Sequence, residues 1–164
     1  MITQTLSLIL FIFLNTTLYA KQPKNSFKES VVTQVYDGDT ISVLNTNGTS
    51  QVIRLALIDS PELNQTLGDR AKRNLEKLIL DKKVKYKVIN TDAFNRTNAI
   101  IYLSSININQ KQIHDGYAWA TQRNNSNQYL SLELQARKYR KGIWNTSNPL
   151  SPWIFRKQFF DAIM

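Results

Sequence analysis

Hydrophobic and polar positions alternate with a period of two through the first half of the chain and then shift to helical spacing. Val31 to Val35 and Thr40 to Leu44 are β-rich runs, separated by the turn-forming Asp37-Gly38-Asp39. Asn47-Gly48 is a strong hairpin signal and leads into a third run, Gln51 to Ile58. From Gly68 to Leu80 the apolar residues Ala71, Leu75, Leu78 and Ile79 recur at helical intervals, with Lys72, Arg73, Glu76 and Lys77 outward. Lys83 to Ile89 returns to alternation, setting Val84, Tyr86 and Val88 against Lys85 and Lys87, and Ala99 to Leu103 is a fifth strand. Ile106 to Asp115 reads as a short helix stopped by Gly116. Gln128 to Lys141 reads as a longer one ending at Gly142, with Leu130, Leu134 and Ala136 inward. Antiparallel strands in series with helices inserted late predict a small closed barrel rather than a βαβ sheet.

The ends of the chain differ from this body. Leu6 to Leu14 is apolar but too short to span a bilayer comfortably, and Thr17-Leu18-Tyr19-Ala20 offers a small residue for cleavage before Lys21. Residues 1–20 are therefore expected to be a signal peptide, and the protein secreted or periplasmic. No Lys or Arg precedes Leu6, which keeps an N-terminal membrane anchor as the alternative. Residues 21–30 read as a flexible leader, 31–145 as the single folded domain, and 146–164 as a proline-punctuated, aromatic tail that packs on the body and ends in an amphipathic piece.

Composition narrows the chemistry. Residues 1–20 carry no charge, so the formal net charge of +9 falls wholly on the remainder, which implies an anionic partner, nucleic acid ahead of membrane surface. The absence of cysteine excludes thiol nucleophiles and zinc–thiolate sites, and a single histidine excludes a His-rich zinc cluster. That residue, His114, falls at a helix end, where an imidazole meets the C-terminal dipole in a structural role. Asn-x-Ser/Thr triplets recur, and a glycan on Asn95 would crowd Arg96, which favours a bacterial route of export.

The remaining signal is a set of charges at strand ends. Asp37 and Asp39 lie one residue apart, Asp59 closes the third apolar run, and Glu62 follows the Ser60-Pro61 turn. Such hard oxygen donors suit Ca²⁺ or Mg²⁺. Arg54 sits inside the apolar run Val52 to Ile58, where a charge must pair with a carboxylate or line a ligand cavity, and a guanidinium suits phosphate. Arg96 precedes the fifth strand. Lys72, Arg73, Lys77, Lys82, Lys83, Lys85 and Lys87 form a candidate electrostatic track for a nucleic-acid strand.

Asp-Gly-Asp-Thr at 37–40, Arg-x₄-Asp-x-Pro-Glu at 54–62, a helix, Asp-x₃-Arg at 92–96 and Gly-Ile-Trp at 142–144, in that order, resemble the thermonuclease-like (staphylococcal nuclease-like) family. The resemblance implies an α+β fold with a mainly β core, a five-stranded OB-type barrel with three α-helices. It implies Ca²⁺ held by Asp39 and Asp59 with help from the Ser60 backbone carbonyl, and Asp37 either behind these ligands or bound to the ion through water. Glu62 would be the general base, and Arg54 and Arg96 would clamp the phosphate. Phe94, Lys72, Lys85 and Lys87 would contact substrate. The implied activity is a monomeric, Ca²⁺-dependent endonuclease that cleaves DNA and RNA with little sequence specificity, prefers single strands and leaves 3′-phosphoryl ends. A nucleic-acid-binding OB module with weak or lost turnover is the rival, and an anchored interaction domain a third reading. Two stretches depart from the family pattern. Ala93-Phe94-Asn95 replaces Lys/Arg-Tyr-Gly, and Trp119 to Asn124 lacks the tyrosines of the family's base-binding wall, so a complete catalytic set is expected with an altered substrate grip.

Overall fold

The computed structural model describes residues 26–93, 96–121 and 127–163, apart from the side chains of 127, 162 and 163. The signal-peptide expectation over 1–20, Phe94 and part of the substrate wall (122–124) lie outside these residues.

Strand β1 (Lys28–Val35) begins three residues earlier than expected, because Lys28 to Val31 pair antiparallel with Tyr86 to Lys83. It also pairs with β2 (Thr40–Asn45), and β2 with β3 (Ser50–Leu55), across the expected turns. In the second turn Gly48 takes φ 80°, a left-handed conformation that glycine adopts without steric cost. Strand β5 (Lys83–Thr91) then pairs antiparallel with β6 (Thr97–Leu103). The barrel closes where β3 meets β6 in parallel, Arg54 opposite Asn98. Val32, Ile41, Val43, Ile53, Leu55, Val84, Ala99 and Ile101 fill it from alternate strand positions. Tyr86 joins them, its hydroxyl within 3.3 Å of Asn45 Oδ1 and 3.2 Å of Gln51 Oε1.

The third apolar run is not one strand to Ile58. Leu57 takes φ 70°, which turns the chain so that Ile58 and Asp59 form a separate short strand, β4. β4 pairs with β8 (Trp119–Ala120), a two-residue strand like β7 (Ile106–Asn107).

Helix α1 (Gly68–Ile79) buries Ala71, Leu75 and Ile79 as its spacing predicts, and Leu75 and Ile79 each contribute about 2 kcal/mol by burial. Helix α2 (Ile108–His114) starts later than expected because Asn107 caps it, accepting the Gln110 N–H. His114 ends it, with its ring nitrogens 3.3 Å from Asp115 Oδ1 and 3.1 Å from Lys141 Nζ. Helix α3 (Asn127–Lys138) turns a different face inward from the one its leucines indicate. Leu130 and Leu134 are 52% and 58% exposed, whereas Tyr129, Glu133 and Ala136 are buried. Glu133 decides the rotation, because its Oε2 accepts the Ala120 N–H (2.6 Å) and its Oε1 accepts Arg137 Nε (2.9 Å).

A 3₁₀ turn over Gly142–Asn145 buries Ile143 and Trp144. The tail then forms a fourth helix, α4 (Pro152–Ile163), one more than expected. Among the described residues no helix is long and apolar enough to cross a membrane.

Candidate active site

The acids collect where three strand ends converge. Gly38 lies between the aspartates of the first turn because nothing larger fits: a Cβ there would stand 2.6 Å from Ser60 Cβ and 2.8 Å from Ala71 Cβ. Gln112, fully buried on α2, donates to Gly38 O (2.9 Å) and Ala71 O (2.8 Å), binding this turn to α1. Asn109, one helical turn earlier, donates to Ala56 O (2.8 Å) and Ala99 O (3.0 Å) and accepts the Ile101 N–H (3.0 Å). It holds the β3–β4 corner against β6. These two amides tie the first turn, α1, the β3–β4 corner and β6 together through backbone groups.

Asp39, Arg54 and Asp59 form a continuous ionic chain. Arg54 Nη1 donates to Asp39 Oδ1 (2.6 Å) and Nη2 to Asp59 Oδ1 (2.7 Å). The Arg54 side chain is 22% exposed, and those of Asp39 and Asp59 are 2% and 7% exposed. Asp39 Oδ2 accepts the Ser60 N–H (2.8 Å), and Asp37 accepts the Asp39 N–H (2.9 Å), which fixes the turn. Burial pushes the Asp39 carboxyl up to about 7; Arg54 and the Ser60 N–H oppose that rise, while Asp37 and Asp59 add to it. Burial alone would lower Arg54, but Asp39 and Asp59 outweigh it and hold the guanidinium above its ordinary value.

Glu62 is placed by the start of α1. Its backbone N–H donates to Gln65 Oε1 (3.2 Å), and Gly68 packs against its carbonyl. The Glu62 carboxylate meets a partner that the sequence reading missed, Arg156 on α4. Arg156 Nη1 donates to Glu62 Oε1 (2.7 Å) and Asp59 Oδ1 (3.2 Å), and Nη2 to Asp59 Oδ2 (2.8 Å). Hydrogen bonds to Asp59, then to Glu62, raise the Arg156 guanidinium above its ordinary value against the effect of burial. The available signal was the spacing of Trp153 and Arg156 after Pro152, which puts both on one face of a helix.

Of these charges Arg54, Asp59 and Arg156 line a cleft of about 640 Å³, together with Thr121 and Trp153, whereas Asp37, Asp39, Glu62 and Arg96 are not among its described lining residues. Of the remaining expected residues, Arg96 is held before β6 by Asp92, which accepts its backbone N–H (2.9 Å) and Nε (2.8 Å). Lys72, Lys85 and Lys87 are not among the described residues lining the cleft. Lys72 faces Glu76 on the outer side of α1 and Lys85 faces Glu29 on the outer surface of the sheet, where strand alternation points it away from the core. Among the described residues no three Asp, Glu or His side chains converge as a ready cage for a metal. The donor chemistry nevertheless fits a hard divalent cation: burial, with Asp37 and Asp59 adding to it, disfavours the Asp39 carboxylate charge, and the buried Ser60 Oγ has no partner.

An OB-type barrel carrying clustered carboxylates and guanidiniums at its strand ends defines a phosphoryl-chemistry site. Comparison with known proteins specifies the family. The family described as "Staphylococcal nuclease homologue" matches residues 52–146. An "Uncharacterized endonuclease" of Haemophilus influenzae is 32% identical over 160 residues, covering 96% of this chain and 88% of that protein. A "Micrococcal nuclease" of Shigella flexneri is 33% identical over 138 residues, covering 77% and 79%. The chain belongs to the staphylococcal nuclease family and is a nuclease, a hydrolase of phosphodiester bonds.

Proposed function

We propose that this protein is an exported, Ca²⁺-dependent endonuclease that cleaves DNA and RNA with little sequence specificity, prefers single strands, leaves 3′-phosphoryl ends and acts as a monomer. The observation that carries the reading is the chain Asp39–Arg54–Asp59, whose Arg54 and Asp59 line the cleft, with Glu62 joined to Asp59 through Arg156. Asp39, Asp59 and the Ser60 carbonyl would hold the cation, with Asp37 behind them. Bound there, Ca²⁺ would supply charge neutralisation and Lewis-acid polarisation at the phosphate.

The chain's own residues account for the rest. Glu62 takes a proton from the attacking water at its carboxylate. Arg54 and Arg96 hold the phosphate oxygens and offset the negative charge that grows on them as the water oxygen bonds to phosphorus. The bond from phosphorus to the 5′ oxygen then breaks, and that oxygen takes a proton from solvent water to leave as a 5′ hydroxyl, with the phosphate on the 3′ side. Asp39 and Asp59 hold Arg54 in place for this task, since its guanidinium is fixed at both nitrogens.

Digestion of single-stranded DNA in Ca²⁺ or chelator, beside Glu62→Gln, tests the reading. Cleavage in Ca²⁺ that falls by at least a hundredfold in the variant is expected, the usual scale for losing a general base. Binding without cleavage in every metal tried would leave an OB-type binding module.

A further inference from the structure

Helix α4 lies beyond the stretch that the family match covers, yet its first turn forms one wall of the cleft. Trp153 and Arg156, three residues apart on one face of that helix, both line it. Arg156 is anchored on Asp59 and Glu62. The connector leading into α4 is anchored too, by Gln65 Nε2 donating to Leu150 O (2.6 Å). Trp153 packs at 77° to the Trp119 ring, with centroids 6.5 Å apart, so its orientation is set by a buried neighbour. Even so, Trp153 is 38% exposed, and the cleft it lines also holds Arg54.

An exposed, braced indole facing the same concavity as a phosphate-binding guanidinium has the composition of a site for single-stranded nucleic acid, with cations for the backbone and an aromatic plane for a base. The local β8 segment does not supply that plane. Trp119 is buried, and Thr121, which follows β8 into the cleft, has no ring. Ile89, another exposed apolar side chain of the lining, gives the cleft further apolar surface but no π face.

We infer that Trp153 is a substrate-binding residue that stacks on a nucleobase of the bound strand, so that the C-terminal helix, rather than the β8 segment, provides the aromatic wall of the cleft. The inference rests on the nuclease reading and names the part of the substrate, the base, that α4 contacts. Stacking tolerates any base, in keeping with low sequence specificity.

The test compares two eight-unit probes of equal charge, oligothymidylate and the same backbone without bases. Binding to the full chain is followed by fluorescence anisotropy in chelator, where no turnover blurs the reading. In wild type the base-bearing probe binds more tightly. Trp153→Ala weakens that probe by about tenfold, or about 1.4 kcal/mol, and leaves the abasic probe unchanged. Trp153→Phe keeps a ring and stays within about threefold of wild type. In Ca²⁺ the Ala variant raises KM with kcat retained. A purely structural role for Trp153 would weaken both probes alike, and that result overturns the inference, as does equal binding of both probes by wild type or an unchanged Ala variant. Failure of the nuclease reading is read separately, as absence of cleavage by wild type in Ca²⁺.

Discussion

Arg54→Gln tests the ionic chain at its centre. The wild-type guanidinium serves two carboxylates that are 2% and 7% exposed, at 2.6 and 2.7 Å. Breaking a buried pair from one side costs about 3–5 kcal/mol, because the abandoned charge stays desolvated. The lower end applies here, about 3 kcal/mol, since Arg54 is itself 22% exposed and Asp59 keeps Arg156. The loss depends on pH. Burial raises the Asp39 carboxyl to about 7 from its ordinary 3.8, so its ionised form is the costly one in the folded protein. Its contribution to stability is therefore present in full below the unfolded pKa and is lost as pH rises through 7. At pH 5 Asp39 is largely neutral and needs its partner less; at pH 8 it is ionised and needs it most. Urea unfolding in chelator, followed by tryptophan fluorescence, reads this directly. With a slope of about 2 kcal/mol per molar, the midpoint should fall by about 1.5 M at pH 8 and by clearly less at pH 5. An equal or larger loss at pH 5 would refute the assignment of Arg54 as the compensator of a buried, ionised Asp39.

Two further perturbations probe neighbouring parts of the site. Arg156 engages both Asp59 oxygens and one of Glu62, so a cation bound at Asp59 must compete with it; Arg156→Gln should tighten Ca²⁺ binding several-fold by calorimetry at a stability cost of about 1 kcal/mol or less, and unchanged or weaker binding would contradict that competition. A Cβ at Gly68 would stand 1.8 Å from the Glu62 carbonyl oxygen, so Gly68→Ala must displace the Glu62 backbone; about 2 kcal/mol of stability and most of kcat should go, and a fully active variant would show that the position of Glu62 is not set by this contact.

The barrel was legible because its signals are local. Alternation marked β1, β2, β5 and β6, Asn47-Gly48 marked a hairpin, and the 3.6-residue spacing of Ala71, Leu75 and Ile79 marked the buried face of α1. The misreadings arose where a long-range bond overrides periodicity. The apolar run continues through Leu55, Ala56 and Leu57 without a break, yet Leu57 turns left-handed while Asn109 takes up the Ala56 carbonyl and β4 leaves to pair with β8. In α3 the leucines form the obvious apolar stripe, but an N–H at the end of β8 needs an acceptor and Glu133 provides it. Satisfying a backbone donor at a protein interior outweighs leaving two leucines in water, because an orphaned N–H costs its full desolvation.

The same distinction separates the legible from the illegible half of the candidate site. Asp37, Asp39, Arg54, Asp59 and Glu62 fall within one short stretch whose strand ends meet by hairpin geometry, so spacing alone placed their charges near one another. Arg156 reaches the same carboxylates from 97 and 94 residues away, and its helical spacing from Trp153 would admit Lys157 beside it as readily. What singles it out is the helix that carries it, begun by Pro152 and braced by Trp153 against Trp119. Those constraints fix one face of α4 toward the cleft, and Arg156, three positions after Trp153, lies on it. A tail judged by composition reads as packing; judged by which face its anchors leave inward, it belongs to the site.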